Sequence, residues 1–184
     1  MSRTIYVALL RGINVGGHHK IPMAELRSLC TEMGLRDVQT YIQSGNLVFS
    51  SEESEATIED ALEPSIERRF GHEISVIVRR ADDWAAFVES NPFPEVGETD
   101  PKRLALGIAK ATPNSRAIKD LRERAAHGEQ LAQTGEALWV HFPDGVAKSK
   151  LSPDLMTRLV GSPVTMRNWR TVLKLQDMAQ QVSE

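Results

Sequence analysis

The sequence predicts an α+β fold made of two tandem ferredoxin-like repeats, each a βαββαβ unit plus one helix. Three observations predict it. Short β-rich runs alternate with longer stretches of helical periodicity. Two hairpin signals, Ser44-Gly45-Asn46 and Thr134-Gly135-Glu136, stand at corresponding points of the two halves. The order strand, helix, hairpin, helix, strand, helix is complete by residue 92 and begins again at residue 101. Residues 1–92 and 101–184 are therefore read as two copies packed as one globule, with right-handed crossovers placing the helices on one sheet face.

The elements follow in order. Ile5–Leu10 is almost wholly apolar, as in a strand buried on both faces. A glycine-rich loop through Gly12, Gly16 and Gly17 leads to Pro22, which suits a first helical turn. Met23, Leu26, Cys30 and Met33 recur at helical spacing until Gly34. Val38–Gln43 and Leu47–Phe49 form a hairpin. Glu55–Phe70 is a second helix with an acidic start and Arg68-Arg69 near its end, which Pro64 should kink or split. Ile74–Val78 is a strand and Asp82–Val88 a short helix. Asn91-Pro92-Phe93-Pro94 and the polar stretch to Pro101 read as the linker.

In the second half, Leu104–Ala109 is a strand and Pro113 opens a helix to about Arg124. Gln130–Gln133 and Ala137–Phe142 flank the second hairpin turn. Ser152-Pro153 opens a helix that ends near Gly161. Val164–Met166 is a strand, and Asn168 caps a last helix.

Composition bounds the function. The 184 residues are 41% hydrophobic and 26% charged, with a net charge of -3. That is a globular balance, and it gives no whole-protein pull toward nucleic acid or anionic membrane. Cys30 is the one cysteine, so no internal disulfide forms and a reducing cytoplasm is expected. No apolar run approaches the roughly 20 residues of a membrane helix.

Charge is unevenly spread. Residues 52–100 carry fourteen acidic and four basic residues, whereas residues 145–184 carry six basic and three acidic. A basic face on a mildly acidic protein follows if the chain ends meet.

Familiar chemical motifs are missing. The loop Gly12–Lys20 follows a strand and precedes a helix, as a phosphate loop does. It lacks the Gly-Lys-Ser/Thr ending and is not G-x-G-x-x-G. His18 and His19 are adjacent rather than at zinc spacing, and His72, His127 and His141 form no ligand pattern. Neither a metal nor a cofactor is expected. There is no G-x-S-x-G elbow, and Cys30 lies on the apolar face of its helix.

Three helix starts are unusual. Free N–H groups and the dipole favour anions at a helix N-terminus. Here His18, His19 and Lys20 precede one helix, Lys148 and Lys150 another, and Arg167 and Arg170 flank the last. A bound anion would reverse the unfavourable sign. Swinging each cation into water would also relieve it.

Trp169 either stacks on a ligand ring or anchors its helix. Arg11 and Asn14 either bind ligand or pin the glycine loop. Ser44 and Asn46 either bind ligand or serve the turn.

The blocks Tyr6-Val7-Ala8-Leu9-Leu10-Arg11-Gly12-Ile13-Asn14-Val15-Gly16-Gly17 and Thr40-Tyr41-Ile42-Gln43-Ser44-Gly45-Asn46 resemble signatures of the Domain of Unknown Function 1697 family. Ser149-Lys150-Leu151 and Arg167-Asn168-Trp169-Arg170-Thr171 resemble its closing blocks, with Arg170 where a smaller polar residue is usual. The resemblance implies a bacterial, cytoplasmic α+β protein and supplies no activity or catalytic residue.

The functional expectation is a binding module for a phosphorylated small molecule, a nucleotide or a nucleic-acid end. Arg11, Asn14, Gly16, Gly17 and Lys20, with Ser44 and Asn46, would build one wall. Lys150, Arg167, Asn168 and Arg170 would build the other. Two alternatives stand beside it. One is an enzyme on an anionic substrate, with His18 or His19 as general base. The other is an interaction protein whose signature residues are structural.

Overall fold

The computed structural model describes residues 2–183. The chain divides into two compact units. One takes the chain up to Ala85 and again from Lys174, and the other is Ala86–Leu173. Among the described residues there are two four-stranded antiparallel sheets and seven α-helices.

The first unit runs β1 (Thr4–Leu10), α1 (Met23–Glu32), β2 (Arg36–Tyr41), β3 (Asn46–Ser51), α2 (Glu55–Phe70), β4 (Val76–Arg80) and the start of α3 (Ala81–Glu89). Its sheet order is β2-β3-β1-β4. Alternation decides what each strand buries. Tyr6, Ala8 and Leu10 of β1, with Leu47, Phe49, Val76 and Val78, pack on Leu26 and Cys30 of α1 and Ile58, Leu62 and Ile66 of α2. Their neighbours Val7, Leu9, Val48 and Ile77 are buried too. The continuous apolar reading of β1 therefore holds: both of its faces are covered.

The second unit adds α4 (Pro94–Thr99), β5 (Leu104–Ala109), α5 (Ser115–Glu123), β6 (Gln130–Thr134), β7 (Ala137–His141), a 3-10 turn (Val146–Lys148), α6 (Pro153–Val160), β8 (Val164–Asn168) and the start of α7 (Trp169–Ser183). Its order, β6-β7-β5-β8, repeats that of the first sheet. Ala105, Leu138, Val140 and Val164 pack on Ile118, Leu121, Leu151 and Met156. On the other sheet face, Trp139 meets Trp169 with ring centres 5.6 Å apart.

Two expectations are corrected. Pro64 does not split its helix: α2 is one element of 16 residues. Anchors on both sides of the proline explain this. Ile58, Leu62 and Ile66 hold one face to the core, and Glu55, Glu59 and Glu63 hold another to β4. The expected linker at residues 91–101 contains α4, with Pro94 in its first turn. A side chain at Gly97 would strike the Trp169 indole nitrogen, 2.9 Å from the ideal Cβ, so the glycine lets α4 lie against that ring.

The edge of β4 is closed by a ladder. The carboxylates of Glu63, Glu59 and Glu55 accept the N–H groups of Val76 (2.8 Å), Val78 (2.7 Å) and Arg80 (2.9 Å). Four helical residues rise about 6 Å and two strand residues about 6.8 Å, so the spacings match over three rungs. In the second unit, Thr157 Oγ1 accepts from Val164 N–H at 3.0 Å.

A hydrogen bond to a carboxylate contributes about 1.5–3 kcal/mol. Glu59→Ala is expected to lower the urea-unfolding free energy by about that much, while Glu59→Gln, which keeps an acceptor, loses less. Equal stabilities for Ala and Gln would show that the rung carries no weight.

Candidate functional site

The first-unit residues singled out in the sequence share one end of their sheet. The loop after β1 is held there by its own polar groups. Asn14 Nδ2 donates to the carbonyls of Ile21 (3.0 Å) and Gln43 (2.7 Å), and its Oδ1 accepts from Ile21 N–H (2.9 Å). Arg11 N–H donates to the Ser75 carbonyl and Leu10 N–H to that of Gly45. Asn46 is wholly buried and donates to Tyr41 carbonyl and Ser44 Oγ. Asn14 and Asn46 thus hold backbone, joining the loop to the hairpin.

Gly45, at φ +79°, admits no Cβ, which would lie 2.6 Å from that of Leu10. Ile42 is exposed at φ 50°, a strained position for a β-branched residue. The loop side chains of His18, His19 and Lys20 face solvent.

The second-unit residues separate. Asn168 Oδ1 accepts from Thr171 N–H at 3.0 Å and caps α7. Trp169 is buried against Trp139, which makes it the anchor rather than a stacking platform. Arg167 lies opposite Leu106 of β5 and donates to Thr165 Oγ1 (2.8 Å) and the Met166 carbonyl (2.9 Å). Burial pushes its guanidinium down to about 10, so it stays charged at neutral pH.

Arg79 is its positional counterpart in the first unit. It lies opposite Val7 of β1 and donates to the Val78 carbonyl at 2.7 Å. Arg170 is exposed.

Lys150 stands apart from these, at a groove of about 590 Å³ between the end of α5 and the start of α6. Arg124 and Arg158 line the same groove, as do the carboxylates of Glu123 and Asp154 and the apolar side of Leu155. Arg167, Asn168 and Arg170 are not among the lining residues. Arg167 and Thr165 alternate with Val164 and Met166, which face the helices. The second wall expected from the sequence is therefore not one surface, because Lys150 is in the helix layer and Arg167 on the opposite sheet face.

The loop that presents Lys150 is rigidly tied. Ser149 Oγ donates to Glu129 Oε1 at 2.5 Å and accepts from Leu151 N–H at 3.0 Å. Glu129 also accepts from His127 N–H at 2.7 Å. Burial acts to raise the Glu129 carboxyl, but hydrogen bonds from Ser149 and the backbone, with His127 nearby, leave it below the ordinary value. Leu151 is core. Of Ser149-Lys150-Leu151, Lys150 holds the turn only through its carbonyl, which accepts from Ser152 N–H at 3.0 Å, while its side chain is exposed at the groove. The helix start itself is occupied, since Ser152 Oγ accepts from Leu155 N–H and Asp154 sits in the first turn. An anion there would be held mainly by side chains.

A family model described as "Protein of unknown function (DUF1697)" matches residues 3–139. The chain belongs to this family. Among solved structures it is similar to "conserved bacterial protein SP0830 from Streptococcus pneumoniae", with a TM-score of 0.75 and 27% identity, covering 97% of this chain and 99% of the other. Comparison with curated proteins found no match. No helix among the described residues is long and apolar enough to cross a membrane.

Arg124 and Arg158 were not visible as candidates in the sequence. Arg124 is the C-cap of α5 and Arg158 lies in the last turn of α6, where the helix dipole welcomes cations. A search for misplaced charge passes over both.

Cys30 is buried on α1, and burial pushes its thiol up to about 12 from 9.0. The folded state keeps the proton that the unfolded chain loses near pH 9. Its contribution to stability is thus full below that pH and is lost as pH rises toward 12. At pH 8 the native protein should react with a thiol reagent far more slowly than the urea-unfolded chain. Comparable rates would place Cys30 at an accessible site.

Proposed function

We propose that this protein is a binding module for a small phosphorylated molecule, held in the groove between α5 and α6. One observation carries the reading. Arg124, at the end of α5, Lys150, in the loop before α6, and Arg158, in α6, meet at a single groove with room for a metabolite. Exposed cations on separate segments repel one another weakly when empty and gain most from a polyanion that bridges them. The two arginines add a planar fork suited to phosphate oxygens, and Leu155 offers an apolar surface to the rest of the ligand. Arg11, Lys20, Ser44 and Gly16-Gly17 of the first unit, and Arg167 and Arg170 of the second, remain candidates for ligand contacts of their own, apart from this groove. Asn14, Asn46 and Asn168 have backbone partners to serve first.

An enzyme reading has one observation in its favour. Glu123 and Asp154 place carboxylates in the same groove, where either supplies a general base to a bound substrate. Consumption of a bound ligand by wild type but not by Asp154→Asn would favour it.

The two units read as copies of one ferredoxin-like βαββαβ unit followed by a helix. Matching strand order, the paired Ser54 and Ser152 helix caps, and the left-handed Gly71 and Gly161 at the ends of those helices support the duplication. Arg79 and Arg167, each at the fourth position of its strand, add to it.

The test is a thermal-shift panel of phosphorylated metabolites, nucleotides and 5′-phosphorylated oligonucleotides, each beside its dephosphorylated form. At a hundredfold excess over Kd, binding adds about 2.7 kcal/mol to stability. The expected outcome is a rise in Tm that needs the phosphate and disappears in a Lys150→Ala, Arg158→Ala double variant. A rise that survives in the variant, or no rise across the panel, overturns the proposal.

A further inference from the structure

We propose that His19 and His72 form a two-imidazole site for a divalent transition-metal ion of the zinc class. The two rings are brought together by the fold. His19 belongs to the loop after β1, and His72 follows Gly71, which ends α2 in the left-handed conformation. The Arg11 N–H donation to the Ser75 carbonyl holds the segment after α2 beside that loop. The ring centres are 5.2 Å apart, with the planes inclined at 55°. Two imidazoles sharing one tetrahedral ion, at the usual metal–nitrogen distance of about 2.0–2.1 Å, would have their centres roughly 5 Å apart.

The tautomer of His19 follows from its contact. Its Nδ1 is 3.0 Å from the Gly12 carbonyl oxygen. A carbonyl can only accept, so Nδ1 carries the proton. In the neutral ring Nε2 then holds the free lone pair. A histidine whose far N–H is tied to a backbone carbonyl is the usual outer arrangement of a metal-bound imidazole, since it fixes the ring and raises its basicity.

His19 is exposed and His72 half-buried, so apolar packing does not account for the pair. Among the described residues no third His, Cys, Asp or Glu completes a cluster. With two protein ligands, an ion there would keep its remaining positions for water or an anionic ligand. The two ligands lie far apart in the sequence, which is why no ligand spacing is visible there.

The experiment uses the full chain with any affinity tag removed. Zn²⁺ is titrated by competition against a chromogenic indicator at pH 7.5, and the histidine ring signals are followed by NMR. One equivalent should bind and shift the rings of His19 and His72. His19→Ala and His72→Ala should each weaken binding at least about tenfold, because loss of even an outer partner costs that much. His127→Ala should bind as wild type does. Circular dichroism and Tm of the variants confirm that they fold. Absence of stoichiometric binding, binding indifferent to both substitutions, or ring shifts at other histidines alone would each overturn the site.

Discussion

Backbone amides and carbonyls that the sheets and helices leave without partners determine where the polar side chains that hold this fold go. A buried peptide group without a partner costs more than an ordinary hydrogen bond contributes. The edge of β4 shows the consequence. Its outward N–H groups are met by three glutamates of α2. The same glutamates fix the helix along the strand and occupy the N–H groups through which another chain would pair with β4. Asn14 does for the loop after β1 what the glutamates do for β4. Its one side chain serves three backbone groups, and it joins the loop to the β2–β3 hairpin.

This constraint sorts the signature residues. Asn14, Asn46, Ser149 and Asn168 all hold backbone. Gly45 is required by a contact with Leu10 and by its positive φ. Trp169 fills the space between Trp139 and Gly97. Arg167 has a counterpart in Arg79, at the same register of the other sheet and with the same bond to the preceding carbonyl. A residue that recurs in both halves in this way belongs first to the architecture. The proposed sites draw on exposed cations and imidazoles outside this set, with Lys150 the clearest of them.

Much of the fold was legible in the sequence, and the reasons are local. The apolar run at β1 can only be a strand covered on both sides. Ser152 and Asn168 announce helix starts by their own side-chain chemistry. Gly45 and Gly135 mark the hairpins. What was hidden depends on contacts between distant segments. Glu55, Glu59 and Glu63 look like the solvated face of an acidic helix, because nothing in their spacing names β4 as partner. For the same reason Pro64 looked disruptive, since the anchors around it are tertiary. The groove was half legible: Lys150 opposes the dipole of the helix it precedes, while Arg124 and Arg158 agree with theirs.

The division between residues that hold backbone and residues left for a ligand is tested most directly by the unfolding free energies of two alanine variants in parallel urea titrations. Asn46 is buried with two acceptors and Lys150 is exposed at the groove. Asn46→Ala should lose about 1–3 kcal/mol, with Lys150→Ala matching the parent within error. An unchanged Asn46→Ala together with a destabilised Lys150→Ala would contradict that division.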